Sequence, residues 1–232
     1  TVVLSPRAVN MHQSIIDAQW QWLQSNLRDA HLKKQKVVLV MHIPPGIDLY
    51  KATHLQTSQF WRHAERQRFL QLIAPYKDDI VLMLAGHEHN DLYRLVGQIP
   101  MVSVPSISPV FGNNPAFKVL NVDDGRVREI ETEYLPLNLG YGRKNWRFGY
   151  AFSAIYGSLD RLNHRIETIA VDHNLFNHYS DWVYLKGKRL GAWQQPFYRA
   201  GIIYSQQYAR FTLRVIWAMI EVSITKLIWR WT

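Results

Sequence analysis

The 232-residue chain contains no cysteine, so disulfides and thiolate metal sites are excluded. Any metal ion it holds must be bound by imidazole, carboxylate or amide oxygen. It also lacks a long uncharged apolar run. The most apolar stretch, near the C-terminus, is interrupted by Glu221 and Lys226, and it is too short and too charged to read as a transmembrane span. No internal repeat and no low-complexity tract is present. No initiating methionine and no signal-peptide pattern precedes Thr1-Val2-Val3-Leu4, a β-branched run that reads as a strand. The expectation is a start inside a larger protein.

Acidic residues are scarce in one region only. Residues 1–135 hold 14 Lys/Arg and 13 Asp/Glu, whereas residues 136–232 hold 13 and 5, together with six of the nine tryptophans. The first part is nearly neutral and the second basic and aromatic, which points to a change of domain or partner. Apolar content of 47% is ordinary for a globular protein.

What is present begins with a strand–helix alternation. Ile16, Trp20, Leu23 and Leu27 recur at spacings of three and four, predicting a helix over 14–30 with Ser14 as N-cap. Val37-Val38-Leu39-Val40 is a continuous apolar run, the pattern of a strand buried on both faces. Phe69, Leu72, Ile73 and Tyr76 predict a second helix over 58–76. Residues 80–85 form another apolar run. After these come short strands at 101–104, 117–122 and 127–135, the last two joined by an Asp123-Asp124-Gly125 hairpin signal. In the final strand Ile130, Thr132 and Tyr134 alternate with Glu129, Glu131 and Glu133, predicting a half-solvated antiparallel edge. Pro136–Trp146 reads as a linker, and residues 150–180 and 196–231 read as helical.

Three of the ten histidines stand where an apolar run ends. His42 follows Met41 and opens His42-Ile43-Pro44-Pro45-Gly46; His87 and His89 lie in Gly86-His87-Glu88-His89. In an α/β sheet, ligands bind at the carboxyl ends of the strands. In extended geometry residues two apart share a side, so His87, His89 and His42 are expected to converge. Gly86 is expected to allow a close approach there, and Glu88 to point away, toward solvent or a supporting role. Asn90 and Asp91 either orient the histidine loop or form a turn. Asn113, Asn114 and Pro115 read as a turn bordering the site, structural by preference. His54, His63, His164, His173 and His178 read as surface or interdomain residues.

Four pieces in order resemble the C-terminal half of the calcineurin-like metallophosphoesterases, and within them the acid sphingomyelinase-like branch. They are Gln19-x-x-Trp22-Leu23, His42-Ile43-Pro44-Pro45-Gly46, Gly86-His87-x-His89, and Pro105-Ser106 followed by Gly112-Asn113-Asn114-Pro115-x-Phe117-Lys118-Val119. The resemblance implies an α/β fold: the C-terminal half of a metallophosphoesterase β-sandwich over 1–135, a linker at 136–149 and a basic helical C-terminal subdomain over 150–232. It implies a dinuclear metal site, with His42 and His87 on one ion and His89 on the other. Zinc is the first choice, with iron or manganese as alternatives. The reaction implied is attack of metal hydroxide on the phosphorus of a phosphodiester. The family's upstream motifs D-x-H, G-D and G-N-H are missing. Asp29-Ala30-His31 has the first pattern only inside a predicted helix and in the wrong order, and no Gly-Asp occurs. No catalytic acid is therefore assigned in this chain; the acid histidine is expected in an N-terminal half that the chain does not contain, and this fragment alone is expected to be inactive. The resemblance suggests a periplasmic or secreted protein. The alternatives are the same machinery acting on nucleotides or polyphosphate, and a non-catalytic membrane- or partner-binding module.

In the basic C-terminal stretch Leu213, Ile216, Ile220, Ile224, Leu227 and Trp231 fall on one helical face. The preferred expectation is a helix docked on the catalytic domain. A membrane surface, matching a lipid phosphodiester substrate, is the second. Attraction to nucleic acid or polyphosphate by net charge is the third, and no motif supports specific nucleic-acid binding.

Overall fold

A computed structural model describes residues 13–56, 58–139 and 145–228, with side chains described up to Glu221. The expected strand at Thr1–Leu4 lies outside them, as do Trp229 and Trp231 and the side chains of Ile224 and Leu227.

The first sheet is built from β1 (Val37–Met41), β2 (Ile80–Ala85), β3 (Leu92–Val96) and β4 (Ile99–Ser103), in the order β1-β2-β4-β3. β1, β2 and β4 are parallel and β3 is antiparallel to β4. Helices α1 (Gln13–Leu32), α2 (Leu49–Thr53) and α3 (His63–Ile73) belong to this part. The second sheet, β5 (Ala116–Asp123), β6 (Arg126–Tyr134) and β7 (Arg147–Ala151), is antiparallel in sequence order. The chain then runs through α4 (Phe152–Tyr156), α5 (Leu162–Val171), α6 (His173–Trp182), α7 (Gln195–Tyr204) and α8 (Tyr208–Ile228). Two sheets with flanking helices and a helical C-terminal part make a mixed α/β architecture, the fold class expected from the sequence.

Strand alternation sorts the side chains of the first sheet into two cores. Ile80, Met83, Ala85 and Met101 pack with Ile16, Trp20 and Leu27 of α1 and Phe69 and Ile73 of α3. On the other face Leu82, Tyr93, Leu95 and Val102 join Val127 and Ile130 of the second sheet and Ile166, Phe176 and Phe197 of the C-terminal helices. One core thus continues from the first sheet into the C-terminal helices. β7, which begins at the end of the predicted 136–149 linker, pairs with β6.

Several sequence expectations are corrected here. β1 is not buried on both faces: Val38 and Val40 are 37% and 75% exposed. α1 and α3 cover one face, but the second sheet stops short of this outer strand. Ser14 lies inside α1, which already includes Gln13, so it is not an N-cap. The second predicted helix begins at His63 rather than 58, and Pro75 turns its end into a single 3₁₀ turn over Ala74–Tyr76. β6 alternates as expected, but it is the central strand of its sheet, because β7 covers the side read as an edge.

Candidate metal centre

Parallel pairing of β1 with β2 aligns Val40 with Leu84 and Met41 with Ala85. The two chains therefore leave the sheet side by side. The His42 carbonyl accepts from the backbone N–H groups of Gly86 (3.0 Å) and His87 (2.9 Å), which ties the loops together. His42 Nε2 and His87 Nδ1 end 3.4 Å apart, their rings meeting edge-on at 5.2 Å between centroids. Phe60 packs edge-on against His87 at 5.3 Å.

His89 takes a different path. Residues 87 and 88 form a turn rather than continuing the strand, and His89 has φ +61°. The extended geometry that would align His87 with His89 is therefore absent. The His89 ring lies against Phe111 (5.9 Å), and its Nδ1 is buried without a hydrogen-bond partner. Among the described residues no three His, Cys, Asp or Glu side chains are gathered to hold an ion. What does fit a metal is the chemistry of the donors: two facing imidazole nitrogens and one orphaned buried ring nitrogen on the adjoining turn. Burial pushes the His87 imidazole below its ordinary value, and the charge of His42 adds to this. Both effects favour the neutral ring that metal binding needs.

Glu88 takes the second of its two expected readings, a supporting role rather than solvent. The turn drives it inward, where its Oε1 accepts from Arg94 Nη2 at 2.6 Å and its Oε2 accepts from Ser103 Oγ at 2.8 Å. Both members of this pair are almost fully buried. The histidine loop is thereby fastened to β3 and β4. Sequence reasoning left the partner of Glu88, Arg94, unassigned, and the signal for it was an arginine in the otherwise apolar run Leu92–Val96.

Asp91 neither orients a histidine nor forms a mere turn. It is fully buried against the Lys118 ammonium at 2.8 Å and accepts from Tyr150 Oη at 2.7 Å. Lys118 also donates to Tyr93 Oη and Thr132 Oγ1. Desolvation lowers the Lys118 pKa, with Asp91 opposing, and raises those of Tyr93 and Tyr150 well above the usual phenol value. This network joins the two sheets. Asn114 is structural: its Nδ2 donates to the Leu185 carbonyl and its Oδ1 accepts from the Leu137 N–H. Asn113 donates to the Ser108 carbonyl at 3.3 Å. Asn90 is buried with its Oδ1 unpartnered. It lines a cleft of about 120 Å³ beside His87, walled by Tyr50, Phe60, Phe111 and Tyr184, with Asp48 at its edge. His54, His63, His164, His173 and His178 are exposed.

Gly86 is not where a glycine is required, since a Cβ there would meet His42 Nδ1 at an ordinary 3.6 Å. The demanding position is Gly46, at the end of the His42 loop. Its φ is +119°, and a Cβ would come within 2.6 Å of Gln206 Nε2.

No family model matches the chain. Its sequence is 26% identical over 185 residues to "Sphingomyelinase phosphodiesterase D" of Dictyostelium discoideum, covering 71% of this chain and 41% of that protein. It is 26% identical over 170 residues to human "Acid sphingomyelinase-like phosphodiesterase 3b", covering 65% and 36%. The chain is similar in sequence to acid sphingomyelinase-like phosphodiesterases. A mouse cyclic GMP-AMP phosphodiesterase is similar at 23% over 171 residues, covering 67% of this chain and 38% of that protein. The chain spans about two fifths of the length of these relatives.

Proposed function

We propose that the chain supplies the histidine loops of a metal-dependent phosphodiester hydrolase. The observation that carries this reading is the convergence of His42 and His87 at the carboxyl ends of adjacent parallel strands, in a chain whose relatives are named phosphodiesterases. His42 and His87 would hold one divalent ion through their facing ring nitrogens, and the orphaned Nδ1 of His89 is the donor available to a second. Zinc suits imidazole donors, and iron or manganese are the alternatives. Such ions, when bound, polarise the phosphoryl group and lower the pKa of the attacking water.

The chain's own residues position these donors. The buried Glu88–Arg94 pair holds the turn that carries His87 and His89. The two N–H bonds onto the His42 carbonyl fix the spacing of the loops. The aromatic-walled cleft beside His87 is placed to receive the group attached to the phosphodiester. The relatives' names support the phosphodiester class and divide over the substrate: sphingomyelin for some, a cyclic dinucleotide for another.

The test is calorimetric titration of the chain with zinc. Binding that is abolished by His42→Ala and by His87→Ala supports the reading; zinc binding that survives both overturns the site. The full-length protein is then assayed on sphingomyelin, a cyclic dinucleotide and bis-nitrophenyl phosphate. Hydrolysis of any of them, lost in His87→Ala, is the expected result. Hydrolysis of none, with fewer than two ions per chain, favours a non-catalytic binding module.

A further inference from the structure

The apolar stripe of α8 predicted from the sequence is not the face that docks. Phe211 and Val215 are buried in the core, with Phe211 against Phe197. Leu213, Ile216, Trp217 and Ile220 are 67%, 49%, 56% and 46% exposed. Their spacing of three, four and seven places them within one narrow stripe, and that stripe lies opposite the docked residues. A helix that buries one apolar face and leaves a second bare has an unmatched surface.

We infer that this stripe seats on an anionic lipid surface, with α8 lying parallel to the bilayer. Charge decides the occupant. Arg210 and Arg214 are exposed and border the stripe, and residues 208–232 hold four Lys/Arg against one acidic residue. A second copy would bring two such arginine borders, on chains of net charge +9, against each other, and like charges meeting at an interface oppose association. An anionic leaflet reverses the sign of that interaction, and each basic residue near it adds roughly fivefold to partitioning. Apolar side chains with a tryptophan on one face and arginines beside them form the pattern of an in-plane amphipathic helix. Arginine can lay its stem along apolar surface and keep its head among the phosphates. Trp217 suits the boundary because its indole N–H stays satisfied, donating to Glu221 Oε1 at 2.6 Å. The helix does not cross the bilayer: among the described residues no helix is long and apolar enough to do so. This inference does not depend on the phosphodiester reading, since it uses neither the histidines nor the cleft.

The experiment is co-sedimentation of the whole chain with vesicles of phosphatidylcholine alone or mixed with phosphatidylserine. The chain is expected to sediment with the mixed vesicles and to be released by salt. Leu213→Asp with Ile216→Asp should weaken binding at least about tenfold. Arg210→Glu with Arg214→Glu should weaken it by a further route, steepest at low salt. All four positions are exposed, so circular dichroism should be unchanged. If either pair unfolds the chain, the other carries the test. No sedimentation with mixed vesicles, or equal sedimentation of folded variants, overturns the inference. So does a dimer in light scattering that Leu213→Asp disperses, because a second copy would then own the stripe.

Discussion

The Nε2 of Gln206 donates to the Pro45 carbonyl at 2.7 Å, across 161 residues of sequence. Beside it the Ile47 N–H donates to the Ser205 carbonyl at 2.9 Å. The loop that begins with His42 is therefore held by the turn between α7 and α8. The C-terminal helices are part of what places the His42 loop.

Gly46→Ala should disturb this contact. The residue would have to keep φ +119° with its Cβ 2.6 Å from Gln206 Nε2 and 2.9 Å from the Ser205 carbonyl oxygen. A loss of about 1–3 kcal/mol is expected, read by urea denaturation. Gly86→Ala, which meets only an ordinary contact, should cost less than about 1 kcal/mol.

Glu88→Ala should be among the more destabilising changes at the site. It leaves Arg94 buried without its carboxylate, and the Nε and Nη1 of that arginine already have no partner. Breaking a buried ion pair on one side costs about 3–5 kcal/mol. Zinc affinity should fall about 10–100-fold as the histidine turn loosens. Calorimetry at a temperature where the variant remains folded separates this from unfolding.

Lys118→Met strands Asp91 in the core between the sheets and should also cost about 3–5 kcal/mol. Adding Asp91→Asn removes the orphaned charge while Tyr150 retains an oxygen to donate to. The double variant should recover part of the loss. A double variant worse than the single would show that the charge is not what matters.

Zinc binding should follow the neutral fraction of His87. Its pKa is held below the ordinary 6.5 by burial and by His42. The neutral His87 ring therefore persists below pH 6.5. Zinc affinity should decline as the pH falls and protons compete for the ring nitrogens of both histidines, with His87 the more resistant because its pKa is lowered. Calorimetry between pH 5 and 8 spans this window. A His87 ring signal in NMR that titrates above the ordinary value would contradict the burial argument.

The strands that frame the centre were legible because each is an apolar run ending in a histidine: β2 falls at the expected residues and β1 extends one further. β3 was overlooked, although Gly97-Gln98 joins it to β4 in a two-residue hairpin, with Gly97 at φ +65°. Its arginine masked the apolar pattern, and Arg94 is there to meet Glu88. Asp91 was misread, and the buried partner of Glu88 went unseen, for a related reason. A charged residue is expected to face water, and nothing local reports that a partner of opposite charge waits in the core.

The amino-acid sequence by itself determined that only nitrogen and oxygen ligands are available, that histidines follow two apolar runs, and that a basic, tryptophan-rich helical region closes the chain. These follow from residue chemistry and local periodicity. Tertiary structure decided that His42 and His87 face each other, that the turn sends His89 toward Phe111 and Glu88 inward, and which face of α8 is buried. Those outcomes depend on strand register and on contacts between residues far apart in sequence. Hydrophobic patterning measures a preference for leaving water and does not name the surface that will provide the shelter.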